Sequence, residues 1–240
     1  MRAFHCLFVL GLACLLASCE NVKPEVQTWG NRLPQTLPPV TPMQLYQEVN
    51  VHLAMIPKGT AGRKYYRPMT PRYVTIHNTE NPSPGADAMR HALALKNGAL
   101  KAHKRPGGNR IGYLTWHFTA DQRLVAQHLP TREQGEHADF DGPGNNYSIG
   151  IEMCDFAGND PAITIDRTAR LSAYLMYVYH IPLDHIVPHY HWARVGTTPL
   201  HKPCPHWLLD NGKPGATWRW FLGRVQMHFN RIQPGPVAGI

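Results

Sequence analysis

The sequence predicts a single α/β domain. About 220 of its 240 residues follow an N-terminal apolar segment, which suits one domain of common size. From Tyr73 onward, short runs rich in β-branched and aromatic residues alternate with longer segments of helical composition, and no internal repeat is visible. When strands and helices alternate in this way, the strands are expected to form one sheet and the helices to pack on it.

Residues 1–18 are predicted to be a lipoprotein signal peptide. An apolar run from Cys6 to Ala17 is too short to span a bilayer and has the length of a secretory signal. The run closes on Leu-Ala-Ser-Cys, ending at Cys19, which resembles a bacterial lipobox; the alternative is an ordinary secretory signal. The lipobox interpretation places a lipid on Cys19, and Glu20 beside it favours the outer membrane, facing the periplasm.

Residues 19–68 are predicted to be a tether followed by a short helix. Five prolines between residues 20 and 42, with few large apolar side chains, indicate an extended linker. Thr41 and Pro42 then have the pattern of a helix cap and first turn, and an apolar stripe follows them. A catalytic domain over residues 69–232 and a tail over residues 233–240 complete the predicted organisation.

The catalytic segment shows patterns of strands and helices in a clear order. The predicted strands are Tyr73–His77, a hairpin of Leu114–Phe118 with Leu124–Leu129, and Tyr147–Met153. The predicted helices are Ala86–Lys96, Ile165–His180 and an aromatic C-terminal segment, from Trp207 to Phe229, that is expected to pack on the sheet.

Three residues far apart in the chain have side chains that bind zinc: His77, His189 and Cys204. Two imidazoles and one thiolate leave the fourth tetrahedral position open, as a hydrolytic zinc requires, so the set predicts one zinc ion per chain. His191 and His201 remain rivals of His189, since His191 would point to the same side in an extended backbone.

A disulfide is the alternative fate of the Cys204 thiol. The periplasm is oxidising, so a bridge from Cys154 to Cys204 would remove the thiolate from the metal set. Cys154 ends an apolar strand, where a buried free thiol is ordinary, and ligation by Cys204 is therefore favoured.

Glu152 and Lys202 are candidate catalytic residues. Alternation along the strand sends Ile149 and Ile151 to one face and Glu152 to the other, where it is either a surface residue or a base for a metal-bound water. Lys202 lies two residues before Cys204, so in an extended loop its ammonium points to the same side. It would then stabilise an oxyanion; the alternative is an ordinary exposed lysine.

Several ordered motifs resemble those of the zinc-dependent N-acetylmuramoyl-L-alanine amidases, the superfamily of phage lysozyme-type amidases and peptidoglycan recognition proteins. The likeness covers roughly Pro71 to Leu209 and includes the segments Tyr73–Thr79, Trp116–Phe118, Gln127–Pro130, Gly142–Asn145, Ser148–Cys154, Val187–His189 and Lys202–Pro205. The resemblance implies a mixed β-sheet flanked by helices, with a zinc cleft on one face. It also implies cleavage of the amide between the lactyl group of N-acetylmuramic acid and L-alanine of the stem peptide.

By position, the resemblance matches His77, His189 and Cys204 to the zinc ligands. It matches Glu152 to the catalytic glutamate and Lys202 to the lysine that steadies the transition state.

The chain departs from its relatives at three places. Trp116 stands where some members have a tyrosine, which shifts the proton chemistry to Glu152. Glu136 replaces the tryptophan of a Trp-His-Ala segment, so a sugar or peptide contact at His137 is left open. The loop Ala193–His201 is longer than usual, but loop-closure entropy rises slowly with length, so the ligand geometry can survive.

The formal net charge of +8 is spread along the chain without an arginine-rich stripe, which disfavours nucleic acid as a partner. An acidic partner remains, and peptidoglycan or muropeptides are expected, with membrane contact through lipid on Cys19. Two alternatives stay open: a non-catalytic peptidoglycan-binding lipoprotein, and a zinc peptidase that cuts within the stem peptide.

Overall fold

Six strands form one mixed sheet in a computed structural model that describes residues 21–102 and 111–239. The predicted signal peptide and Cys19 lie outside the described residues. The strands are β1 Val51–Leu53, β2 Tyr73–Asn78, β3 Phe118–Ala120, β4 Val125–Gln127, β5 Ser148–Met153 and β6 Ile186–Pro188. Their order is β1-β4-β3-β5-β2-β6; β3 and β4 are antiparallel and all other neighbours are parallel. The predicted α/β fold with a mixed sheet is confirmed.

The hairpin strands β3 and β4 are shorter than the sequence predicts. Before β3 the chain turns away, because Thr115 pairs its backbone with Glu136 outside the sheet. One backbone contact with β5 remains before β3, because the His117 N–H donates to the Gly150 carbonyl at 3.1 Å. The segment before β3 is thereby available as a wall beside the sheet.

Helices cover both faces of the sheet. They are α1 Pro24–Asn31, α2 Pro42–Val49, α3 Ala88–Lys96, α4 Pro143–Tyr147, α5 Pro161–Tyr179 and α6 Ala216–Asn230. Apolar residues of β2 and β5, such as Ile76 and Ile151, share one core with Leu171 of α5, and α2 and α6 pack on α5. On the opposite face, α3 buries Ala92 against Ala126 of β4. The aromatic C-terminal helix therefore packs mainly on α5, because α5 already covers that face.

The predicted helix after Thr41 is confirmed by its cap. The Thr41 hydroxyl accepts a hydrogen bond from the Gln44 N–H at 3.3 Å, and the Gln44 side chain accepts one from the Thr41 N–H at 2.8 Å. This reciprocal capping box satisfies two backbone donors that a helix start leaves unpaired. Leu45 and Val49 then bury the apolar side of α2.

The prediction of an extended linker over residues 20–42 was wrong for its first part. Pro24–Asn31 is a helix, Val26 is fully buried, and the Pro34 carbonyl accepts a hydrogen bond from Nη1 of Arg224 at 2.7 Å. Proline content misled the prediction because Pro24 occupies the first helical turn, where its missing N–H costs nothing.

Within residues 21–102 and 111–239, none of the helices combines the length and apolar character that crossing a bilayer requires.

Candidate active site

The carboxyl ends of three neighbouring parallel strands meet at one edge of the sheet. His77 of β2 pairs in register with Glu152 of β5. Ile76 pairs with Pro188 of β6, so His189 follows directly beside His77. Such an edge, outside the carboxyl ends of parallel strands, is where open α/β sheets bind ligands.

The structure brings the three predicted ligand residues together. Ligand atoms of His77, His189 and Cys204 all lie within 4.8 Å of one another, and all three residues are buried. Among the described residues this is the one such group of histidine, cysteine or carboxylate side chains. Cys154 and Cys204 are both free, so the alternative disulfide is absent.

His191 is outside the group because the backbone at this point is not extended. Residues His189–His191 form a single 3-10 turn, which leaves His191 exposed and its ring 6.2 Å from the ring of Tyr73. His201 bonds through Nδ1 to the Tyr190 carbonyl at 2.8 Å and also lies outside the group.

Hydrogen bonds direct one ring nitrogen of each histidine toward the cluster. Nε2 of His189 donates to the Ala138 carbonyl at 2.9 Å, and among the described residues Nδ1 of His189, although buried, has no hydrogen-bond partner. Nε2 of His137 donates to the Ser148 carbonyl at 3.3 Å, so its Nδ1 accepts from Nε2 of His77 at 3.1 Å. Nδ1 of both His77 and His189 is therefore unprotonated, as metal ligation requires.

The protonation energetics of the three residues also fit a metal. Burial lowers the pKa of His77 well below its usual range, with help from His189 and His137, and burial lowers the pKa of His189 to about 3. Both imidazoles are thus neutral near pH 7. Burial, followed by the Glu152 carboxylate, raises the pKa of the Cys204 thiol. A divalent cation in this position would favour the thiolate, so the donor set fits zinc.

Glu152 faces the same cleft as the cluster, on the face of β5 opposite the isoleucines. Its side chain is 13% exposed, and Oε1 lies 3.8 Å from Nδ1 of His77. Oε2 is buried without a hydrogen-bond partner among the described residues. Burial raises the pKa of Glu152 well above its usual range, although Lys202 acts in the opposite direction. The surface alternative for this carboxylate does not fit its position.

Lys202 lines the same cleft and is held at its rim by Glu80. Nζ of Lys202 lies 2.9 Å from Oε2 of Glu80. Burial acts to lower the pKa of Lys202, but Cys204, Glu80 and Glu152 outweigh it and the pKa is raised. Lys202 therefore stays charged near pH 7 and can donate hydrogen bonds into the cleft.

The walls of the cleft are largely apolar and aromatic. Leu114, Trp116 and Phe140 line it together with Arg194 and His137. Nε1 of Trp116 donates to Oγ1 of Thr119 at 2.7 Å, so the ring offers the cleft an apolar surface and no acidic group. A second depression shares Leu114, Trp116, Glu152 and Lys202 with this cleft.

The long loop Ala193–His201 closes on itself. Ala193 bridges to His201, and the Arg194 N–H donates to the Leu200 carbonyl at 2.7 Å. On either side of the loop, the Tyr190 N–H donates to the Cys204 carbonyl at 3.0 Å, and this bond joins the segment of His189 to the segment of Cys204. The extra length thus leaves the ligand cluster undisturbed, as loop-closure entropy allows.

Glu80, which pairs with Lys202, and Phe140 and Arg194, which line the cleft, had no role assigned from the sequence. Glu80 follows the His77 motif directly, but its left-handed backbone (φ 52°) carries the side chain to Lys202, and that turn has no sequence signal. Arg194 reaches the cleft from the long loop. His137, considered for a substrate contact, also bonds to His77.

Comparison with known proteins agrees with the fold. The profile described as N-acetylmuramoyl-L-alanine amidase matches residues 67–207. The chain belongs to this amidase family, the class of protein to which its sheet and its cluster of ligand residues pointed.

Two curated relatives come from Bacillus subtilis (strain 168). The N-acetylmuramoyl-L-alanine amidase XlyA is 40% identical over 74% of this chain and 51% of its own length. The amidase CwlH is 36% identical over 74% of this chain and 61% of its own length. The solved catalytic domain of XlyA superposes with a TM-score of 0.59 and 38% identity, covering 73% of this chain and 99% of that domain. The chain thus spans about half to three fifths of the curated relatives and nearly all of the solved domain.

Proposed function

We propose that the protein is a zinc-dependent N-acetylmuramoyl-L-alanine amidase, which hydrolyses the amide between the lactyl group of N-acetylmuramic acid and L-alanine of the stem peptide. One observation carries the proposal: His77, His189 and Cys204 converge within 4.8 Å beside the buried Glu152, in a chain of the amidase family. Peptidoglycan or its soluble muropeptide fragments would be the substrate.

His77, His189 and Cys204 would hold one zinc ion, which when bound supplies a Lewis acid and an acidified water. Glu152 takes the proton of the attacking water, a role that its carboxylate can fill because Oε1 lies beside the cluster, 3.8 Å from Nδ1 of His77. As the C–N bond breaks, Glu152 returns this proton to the nitrogen of the leaving L-alanine.

Lys202 donates a hydrogen bond to the oxyanion that forms on the lactyl carbonyl. Loss of one such donor costs about 3–4 kcal/mol of transition-state stabilisation. Trp116 contributes an apolar wall that excludes water from the reacting amide, which strengthens these electrostatic contacts.

A Cys204→Ser variant tests this function, with Cys154→Ser as a matched control because both thiols are buried and free. We expect the wild type and Cys154→Ser to bind one zinc per chain and to release intact stem peptide from peptidoglycan. Cys204→Ser is expected to lose zinc and hydrolysis and to keep its binding to peptidoglycan. Zinc content is measured by elemental analysis, and products by mass spectrometry.

Other results would favour the alternative functions. Wild-type protein that holds zinc but releases nothing would indicate a non-catalytic binding protein. Fragments cut within the stem peptide would indicate a peptidase.

We further propose that the protein is lipid-anchored through Cys19 in the cell envelope, at the outer membrane and facing the periplasm. The Leu-Ala-Ser-Cys sequence that ends at Cys19 supports this location. Mass spectrometry of the N-terminal peptide from the native host should find a lipid-modified Cys19, and an unmodified N-terminus would contradict the anchor.

A further inference from the structure

Two adjacent tyrosines project into solvent just outside the part of the chain that matches the amidase family. Tyr65 and Tyr66 are 71% and 69% exposed, whereas the family match begins at residue 67. With Lys64 they form what we call the tyrosine platform, residues Lys64–Tyr66. Large aromatic side chains exposed side by side commonly mark an interaction surface.

The platform is fixed in place on both sides. Before it, the buried Arg63 makes a two-point ion pair with Glu133, with N–O distances of 2.8 and 2.5 Å, and its third nitrogen donates to the Ile56 carbonyl at 2.6 Å. After it, the Met69 N–H donates to the Arg132 carbonyl at 2.7 Å. The backbone is therefore anchored on both sides of the tyrosines, which lowers the entropy cost of ordering this segment on binding.

The segment that leads into the platform packs behind the wall of the catalytic cleft. Gly62 packs so closely on Thr115 that a Cβ at Gly62 would lie 1.9 Å from the Thr115 methyl group. Thr115 is flanked by Leu114 and Trp116, which line the cleft. A polymer whose scissile bond lies in the cleft could therefore extend over this wall onto the platform.

The chemistry of the platform fits a glycan that carries acidic stem peptides. Nζ of Lys64 lies 5.6 Å from the centre of the Tyr65 ring, and Lys58 lines the same depression as Tyr65 and Tyr66. Sugar rings present flat C–H faces that stack on tyrosine rings, and tyrosine hydroxyls can bond to sugar hydroxyls. The two ammonium groups would pair with carboxylates of the stem peptides attached to the strand.

We propose that the tyrosine platform binds the glycan strand of peptidoglycan at a position outside the scissile unit, as a second, non-catalytic contact. The proposal rests on the amidase function only in the identity of the polymer. Once the platform holds the polymer, binding of the same polymer in the cleft becomes an intramolecular step. The platform therefore raises the effective concentration of polymeric substrate at the cleft and has no effect on a small monomeric substrate.

The test compares the double variant Tyr65→Ser/Tyr66→Ser with Tyr147→Ser, a control at an exposed tyrosine that precedes β5, at the end of the strand away from Glu152. Binding of the full chain to insoluble peptidoglycan is measured by sedimentation with a chelator present, and zinc-loaded hydrolysis is measured on a soluble monomeric muropeptide. We expect the double variant to bind peptidoglycan about tenfold more weakly, as loss of two aromatic contacts implies. Its monomer hydrolysis and the control's binding should match the wild type.

Unchanged sedimentation of the double variant with peptidoglycan would overturn the proposal. A second result would also overturn it: the double variant still binds peptidoglycan but no longer binds vesicles of phosphatidylethanolamine and phosphatidylglycerol. The platform would then be a lipid contact. Failure of the amidase function is separate, since it appears as wild-type protein that cannot hydrolyse the monomer whatever the sedimentation result.

Discussion

At the scale of single residues, His137 determines how His77 can act. Its Nε2 is committed to the Ser148 carbonyl, so its Nδ1 must accept the proton of His77 Nε2. His77 then has only Nδ1 with which to bind a metal, and Nδ1 points toward the cluster. Partners of this kind orient metal ligands, and their loss typically weakens metal binding about 10- to 100-fold.

We therefore expect His137→Ala to weaken zinc binding about 10- to 100-fold, because the His77 ring loses its fixed tautomer and orientation. His137→Gln should recover part of the affinity, since a side-chain carbonyl can accept the same hydrogen bond. The dissociation constant is measured by competition with a chromophoric chelator.

His128→Ala is the control for a buried histidine elsewhere in the sheet region, where Nε2 bonds to Oγ1 of Thr119. It should destabilise the fold and leave the zinc affinity of the folded protein unchanged. Equal zinc affinities for His137→Ala and the wild type would show that His137 has no part in positioning His77.

Residue identity alone predicted most of the side chains that the structure brings together, and local backbone geometry decided the rest. His77, Glu152 and Cys204 could be chosen because each stands in a distinctive motif or strand position. The choice between His189 and His191 depended on whether the backbone was extended or turned, and the 3-10 turn of His189–His191 leaves His189 in the cluster and His191 outside it. Glu80 reaches Lys202 through a left-handed residue, which a sequence pattern does not reveal.

At the scale of elements, one buried carboxylate joins the two long helices. Asp166 of α5 accepts hydrogen bonds from Arg224 and His228 of α6, and from Arg170 of its own helix at 2.6 Å. Arg224 also bonds to the Pro34 carbonyl, so the N-terminal segment enters the same network. The face of α5 that turns away from the sheet is held by charge as well as by packing.

We expect Asp166→Asn to lower the free energy of unfolding at pH 7 by about 3–5 kcal/mol, because it leaves buried arginine unpaired. Burial acts to raise the pKa of Asp166, but His228, Arg170 and Arg224 outweigh it and hold the pKa below its usual range. The pKa of Asp166 is thus lower in the folded protein than in the unfolded protein, where it is about 4, so the ionised carboxylate stabilises the fold above about pH 4. This stabilisation is lost as the pH falls through the folded-state pKa.

Urea unfolding of the wild type and of Asp166→Asn between pH 7 and pH 2 measures this effect. The difference in unfolding free energy should be largest at neutral pH and narrow below about pH 4. Asp184→Asn, at an exposed position, is the control and should change stability by less than about 0.5 kcal/mol. A difference that is independent of pH would contradict the charge-based account of the Asp166 network.

Elements with strong local signals were predicted well, and those defined by tertiary contacts were not. The cap of α2 and the helical composition of α5 depend on residues that are close together in the sequence. The helix α1 has little apolar content and forms because Val26 and Trp29 find partners that lie far away in sequence, such as Trp207, whose ring centre is 5.9 Å from that of Trp29. Tertiary burial of this kind overrides composition.

At the scale of the whole molecule, the N-terminal segment is part of the folded body. Val26 is fully buried, the Lys23 N–H donates to Oγ1 of Thr217 at 3.0 Å, and Arg32 pairs with Asp160. If Cys19 carries the lipid that we propose, the two residues to Asn21 span at most about 7 Å. The anchor would then hold the catalytic domain close to the membrane surface, without a long flexible tether.

A chain that starts at Thr36 is therefore expected to unfold more easily than one that starts at Asn21. The shorter chain loses the burial of Val26, which contributes about 1.5–3 kcal/mol, and the carbonyl of Pro34 that pairs with Arg224. Thermal unfolding should show a melting temperature lower by several degrees. Val237→Ala, at a half-exposed position of the C-terminal tail, controls for removal of a surface apolar side chain. Identical melting temperatures for the two chains would mean that the segment contributes no stability, and it would then act as the tether that its proline content suggested.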